Sequence, residues 1–205
     1  MCLHWYTKEF IPTYSIPGDK MFVREGVDKD IGHMPLPAMS LEELEKSSKL
    51  YIVKIHKGVT DLPYKATSIF LVRDPHDVMV SVAHWQVWQR KFPTWRKAFD
   101  TIYNKRSWHI YCEKSLDFAD IIVKYEDLVA DPYGTVERVV SELDLPLTMM
   151  WRDMPTFEEM HEKLPLFFRE GKVGSGREAF TPEKDAAFYA RAGHMMDRLG
   201  YRRYF

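Results

Sequence analysis

The apolar positions of this chain fall into short blocks separated by longer periodic stretches. Tyr51-Ile-Val-Lys-Ile-His56, Thr67-Ser-Ile-Phe-Leu-Val72 and Asp120-Ile-Ile-Val-Lys-Tyr125 are β-branched and aromatic runs too short for helices, and each is expected to be a strand. The continuously apolar Ser68–Val72 predicts a strand covered on both faces, as in a parallel sheet. Helical stretches are expected at 75–90, 94–115, 132–143 and 182–198. Ser40 followed by Glu43 is a capping pattern that opens one more short helix. Strands alternating with helices predict an α/β fold, a parallel sheet flanked by helices. Residues 1–39 carry Pro and Gly without a period and read as an irregular N-terminal segment. Residues 40–205 read as the ordered core of a single domain spanning 1–205.

The pattern also predicts a functional edge. Ligands of such sheets bind beyond the carboxyl ends of the strands. The three runs end on His56, Arg73 and Tyr125, which parallel pairing would bring to one cleft. Lys54 and His56 are two residues apart, so the pleat puts both on one side. After Val72 the chain turns through Arg73-Asp74-Pro75, where Asp74 can cap a helix and Pro75 suits its first position. Arg73 and Ser81, two turns further on, could converge on a phosphate beside the helix start. A plain ion pair between Arg73 and Asp77 is the competing structural reading.

Composition narrows the partners. The 205 residues suit one domain with a proper core. A net charge of −1 gives no global pull towards nucleic acid or an anionic membrane, so neither is expected as a partner, and an anion site must be built from local charges. Cys2 and Cys112 lie far apart in no metal-ligand spacing, which predicts a reducing, cytoplasmic setting and no disulfide framework. No apolar run approaches a membrane span, and the N-terminus lacks the charged-then-apolar order of a signal peptide. No clustered His, Cys or carboxylate set calls for a metal.

Arg73-Asp-Pro-His-Asp77-Val-Met-Val-Ser81 resembles the 3′-phosphate-binding segment of the sulfotransferases that use 3′-phosphoadenosine 5′-phosphosulfate (PAPS), Arg-(Asp/Asn)-Pro-x-Asp-x-x-x-Ser. Further segments resemble that family in the same order. Lys54-Ile55-His56 is similar to its Lys-Thr-His, Tyr125-Glu-Asp-Leu128 to its Tyr-Glu-Asp-Leu, and Thr156-Phe157-Glu-Glu-Met160 to its Ser-Phe-x-x-Met. Arg169-Glu170-Gly171-Lys-Val-Gly174 resembles its C-terminal Arg-Lys-Gly-x-x-Gly loop. The resemblance implies a P-loop NTPase-like fold, PAPS as co-substrate, and sulfuryl transfer to a hydroxyl or amine of a small-molecule or carbohydrate acceptor. It assigns His56 as general base and Lys54 as charge stabiliser. It assigns Arg73, Ser81, Tyr125, Phe157, Arg169 and Gly171 to the nucleotide. The chemistry suits these types: an imidazole titrates near neutrality, an ammonium balances charge on moving oxygens, and glycines let backbone N–H groups approach an anion.

The chain departs from the family in four places. Ile55 replaces a small polar residue, and Glu170 puts a negative charge where a lysine is usual. Thr181-Pro182 differs from the Thr-Val of the animal dimerisation segment, so the oligomeric state stays open. The first strand–loop–helix unit, with the Pro-Lys-x-Gly-Thr loop that holds the 5′-phosphate, has no evident counterpart. Pro17-Gly18-Asp19-Lys20 is the nearest segment, with no buried strand expected before it and with a repelling Asp19. Truncation of a longer protein is the favoured explanation and a naturally shortened homologue the other. Two further readings remain: a non-catalytic nucleotide-binding or interaction protein, and a nucleotide kinase-like P-loop protein. The second lacks a Walker Gly-x-x-x-x-Gly-Lys-(Ser/Thr) segment.

Overall fold

A computed structural model of the chain describes residues 13–15, 33–35, 42–43, 46–48, 50–54, 66–105, 107–148, 156–163, 165 and 168–205. Two parallel sheets form among them. Strands β1 (Thr13–Ser15), β2 (His33–Pro35) and β3 (Ile52–Lys54) make one, in the order β2-β1-β3. Strands β4 (Ile69–Val72) and β5 (Ile121–Lys124) make the other, in register from Ile69 beside Ile121 to Val72 beside Lys124.

Seven helices are described. They are α1 (Pro75–Trp88), α2 (Trp95–Lys105), α3 (Trp108–Leu116), α4 (Tyr125–Ala130), α5 (Pro132–Glu142), α6 (Phe157–Lys163) and α7 (Pro182–Arg198). Their starts follow local chemistry. Asp74 caps α1 by accepting from the His76 N–H, Asp131 caps α5 through the Gly134 N–H, and Thr181 caps α7 through the Lys184 N–H. All three caps precede a proline at the first turn, where its missing N–H costs nothing. In α6 the cap is reciprocal: Thr156 Oγ1 accepts from the Glu159 N–H while Glu159 Oε2 accepts from the Thr156 N–H.

The β4–β5 pair is covered on both faces. Phe70 and Val72 enter the large core with Met79, Val80, Phe99, Phe188, Met195 and Met196. Ile69, Ile121 and Val123 pack on Leu128, Leu143 and the Val139 face of α5. The cover is not complete, because Leu71 is 44% exposed. Ile52 of β3 and Ile69 of β4 both pack against Val136 of α5, so one helix ties the two sheets.

The structure differs from the sequence reading in three places. The expected helix over 94–115 is two helices, interrupted after Lys105. The polar run Asn104-Lys-Arg-Ser107 breaks the apolar period there. Residues 1–39, expected to be irregular, contain β1 and β2. Three-residue strands are too short to show a period, and their parallel partners are distant in sequence. The third difference is that a strand does precede Pro17-Gly18-Asp19-Lys20, since β1 ends at Ser15 and is the central strand of its sheet. Residues 16–32 lie outside the described set.

Candidate functional site

The parallel register of Val72 with Lys124 puts Arg73 and Tyr125 side by side at the carboxyl ends of β4 and β5. The Arg73 guanidinium lies 4.2 Å above the Tyr125 ring, a cation–π contact that fixes its plane. Its Nη2 donates to Asp77 Oδ2 at 3.2 Å and to the Lys172 carbonyl at 2.9 Å. Arg73 therefore joins β4, α1, α4 and the 168–174 segment, and its buried Nε–H has no partner among the described residues.

Asp77 is the hub of this junction. Its side chain is fully buried. Oδ2 accepts from the Gly174 N–H at 2.9 Å, and Oδ1 accepts from the Gly176 N–H at 2.6 Å and from Ser175 Oγ at 3.3 Å. The Tyr204 hydroxyl lies 3.4 Å from Oδ1. Burying an ion is tolerable only with such donors around it. Two glycines make the approach possible. Gly174 has φ of 84°, and a Cβ on Gly176 would stand 2.6 Å from the His76 backbone carbon.

The same segment meets α6. A Cβ on Gly171 would fall 2.6 Å from the Phe157 ring, so this glycine lies directly on that ring. Phe157 also stacks on His161, 5.9 Å between centroids, and His161 Nδ1 lies 2.5 Å from the Phe168 carbonyl oxygen. Arg169 pairs with Glu170, the residue that stands in place of the family's lysine. Burial lowers the His84 pKa, and the Arg169 charge lowers it further. A cavity of about 220 Å³ opens beside this junction, lined by Arg73, Tyr125, Phe70, Val78, Trp108 and Cys112. Burial pushes the Cys112 thiol up to about 12, which leaves it a packing group rather than a nucleophile.

The proposed site residues divide into groups. Arg73 and Tyr125 are in contact, and Gly171 and Phe157 are in contact; the Lys172 carbonyl links the two pairs. Ser81 is exposed on α1, four residues beyond Asp77. Lys54 ends β3, and His56 lies outside the described residues. The ion pair with Asp77 is present, and Arg73 also reaches the glycine-rich segment through the Lys172 carbonyl.

The resemblance assigned Gly171 to the nucleotide; two glycines further along the same segment, Gly174 and Gly176, give their amides to the carboxylate of Asp77. Asp77 is the third residue of α1, yet its oxygens serve donors of the 174–176 segment and not the first turn of its own helix, so its position along the chain gave no signal. Glu126 was missed in the same way. Its carboxylate accepts from the Asp74 N–H at 2.9 Å and from the Tyr201 hydroxyl at 3.0 Å, bracing the turn that carries Arg73.

Residues 62–149 match the model of a family described as the sulfotransferase family. No curated protein matches the chain. Among solved structures it is similar to a mouse sulfotransferase, SULT7A1, complexed with PAP. That match has 18% identity and a TM-score of 0.61 over 95% of this chain and 86% of that one. It is also similar to retinol dehydratase in complex with androsterone and inactive cofactor PAP. There the identity is 19% and the TM-score 0.55, over 80% of this chain and 58% of that one. At such identity the two structures speak for the fold. Residues 62–149 thus carry the similarity to the sulfotransferase family, and the chain shares the P-loop-like α/β fold of these structures.

Proposed function

We propose that this chain binds PAPS and that its sulfuryl group goes to a hydroxyl or amine of a small-molecule or carbohydrate acceptor. The observation that carries the reading is Arg73. It sits at the ends of two parallel strands, stacked on Tyr125, with a buried Nε lacking a partner among the described residues. An oriented guanidinium with a spare donor suits an oxyanion, and it fits the 3′-phosphate of the nucleotide. PAP, named for both similar structures, is the bisphosphate that PAPS leaves after transfer.

In this reading Arg73 and Ser81 hold the 3′-phosphate, while Tyr125 and Phe157 supply apolar faces for the nucleoside. Gly171 keeps its segment close to Phe157. Arg169 contributes less charge than the motif implies, because Glu170 neutralises it. PAPS supplies the activated sulfuryl group. His56 takes the proton of the acceptor hydroxyl or amine, and Lys54 offsets charge on the oxygens. No metal is assigned a role.

A second reading, nucleotide binding without turnover, is favoured by one observation: the amides of Gly174 and Gly176 are committed to Asp77 rather than free for phosphate. Calorimetry with adenosine 3′,5′-bisphosphate and a sulfate-transfer assay from PAPS separate the two. Binding with transfer that His56→Ala abolishes supports catalysis, and binding without transfer supports the second reading. No binding of the bisphosphate, or binding unchanged in Arg73→Ala, overturns both.

A further inference from the structure

One buried imidazole joins the Arg73 turn to the C-terminal segment, and the sulfotransferase reading does not use it. His76 is the second residue of α1 and is fully buried. Its Nδ1 is 2.8 Å from Asp74 Oδ1, and its Nε2 is 2.7 Å from Asp185 Oδ1 on α7. The ring stacks on Tyr204, with centroids 4.1 Å apart and planes inclined at 22°, and meets the edge of Phe180 at 4.5 Å.

Proton counting fixes its state. An ionised carboxylate only accepts, so contacts to two carboxylates need two N–H donors, which an imidazolium has and a neutral imidazole lacks. Both acids also accept from other donors. Asp185 Oδ2 accepts from Arg203 Nε at 3.0 Å and from the Phe205 N–H at 3.2 Å, and Asp74 Oδ1 accepts from the His76 backbone N–H. Two carboxylates, the imidazolium and Arg203 then balance. Losing the ring proton would leave a surplus negative charge in a buried place.

Every element packed here contributes charge. Asp77 of α1 reaches Tyr204, and Arg177 lies 5.6 Å from the Tyr204 ring. Glu126 of α4 accepts from the Asp74 N–H of the turn and from the Tyr201 hydroxyl. Burial alone would lower the His76 pKa; Asp74 first and Asp185 second overcome that and hold it above its ordinary 6.5. Asp185 is shifted the other way: burial raises it, and the Arg203 and His76 hydrogen bonds bring it below its ordinary value.

We propose that protonated His76 is a latch: clamped between Asp74 and Asp185, it holds residues 201–205 against the turn that carries Arg73, and loss of its proton releases them. The sign follows from linkage. A folded-state pKa raised above 6.5 gives stabilisation that is complete below that pH and is lost as pH rises through the raised value. The C-terminal segment is therefore held more loosely above the raised pKa than below it.

The test uses the full 205-residue chain without nucleotide. Long-range ¹H–¹⁵N spectra of the histidine rings from about pH 6 to about 9 follow the His76 proton, and amide exchange reports protection of residues 201–205. Both ring nitrogens of His76 should be protonated at neutral pH. Protection of the Phe205 N–H should fall about ten- to a hundredfold as the ring titrates, after correction for intrinsic exchange. Asp185→Asn removes one carboxylate and should move the His76 midpoint down, and His76→Gln should make tail protection low and independent of pH. Neutral-tautomer shifts at neutral pH, an unmoved midpoint in Asp185→Asn, or tail protection unchanged through the titration would each overturn the latch. The first and third readouts need no variant, so a His76→Gln chain that does not fold leaves the test intact.

Discussion

The turns after β4 and β5 leave neighbouring strands at the same level, yet they do opposite jobs. Arg73-Asp74-Pro75 spends its groups outwards: Arg73 reaches the Lys172 carbonyl, and Asp74 caps α1 and meets His76. Tyr125-Glu126 spends its groups backwards: Tyr125 lies under Arg73, and Glu126 holds the Asp74 N–H and the Tyr201 hydroxyl. No side-chain cap starts α4, whereas Asp74 caps α1. One turn presents a charge and its neighbour fixes where that charge points. An anion site needs both, because a guanidinium gains specificity only when its plane is set.

The largest expected effect is at the hub between the presenting turn and the glycine segment. Asp77→Ala leaves two backbone N–H groups, Ser175 and Arg73 without their buried acceptor. It should cost about 3–5 kcal/mol in urea unfolding. A loss within the error of a surface substitution would mean that the glycine segment is held by other contacts.

Arg73→Ala should separate presentation from stability. Affinity for adenosine 3′,5′-bisphosphate should fall about ten- to a hundredfold, which is roughly 1.5–3 kcal/mol, by calorimetry. Unfolding should change less than in Asp77→Ala. The reverse order would make Arg73 a structural brace.

Gly176→Ala drives a Cβ into the His76 backbone, so about 1–3 kcal/mol of destabilisation is expected from the melting curve. Glu126→Gln keeps the shape of the bracing turn but weakens the acceptors for Asp74 and Tyr201. A loss of about 1 kcal/mol in chemical denaturation is expected, with bisphosphate affinity reduced alongside. If affinity is untouched, the second turn does not orient the first. The smallest effect belongs to the exposed Arg138–Glu142 pair on α5. Arg138→Ala should stay within about 0.5 kcal/mol and serves as the reference for the other four.

Much of this was readable along the chain. The apolar run ending at Val72, the Asp74 cap and Pro75 put a strand, a turn and a helix where they are found. The Arg73-to-Ser81 spacing pointed to the family that the comparisons support. These features are local: periodicity, capping and motif spacing are decided by residues within two turns of each other. β1 and β2 were not readable, because each is three residues long and exists only through partners far away in the chain.

The site divides the same way. The chain by itself determined which groups carry charge, and it put Arg73 and Tyr125 at strand ends. Only the tertiary structure decided where those charges are spent. Asp77 meets Gly174 and Gly176 across about a hundred residues, and His76 meets Asp185 across 109. Glycine amides suit a bound phosphate and a buried aspartate equally well, since both offer oxygens to the same donors. Sequence spacing cannot distinguish them, because the choice depends on which oxygen the folded chain delivers to those N–H groups.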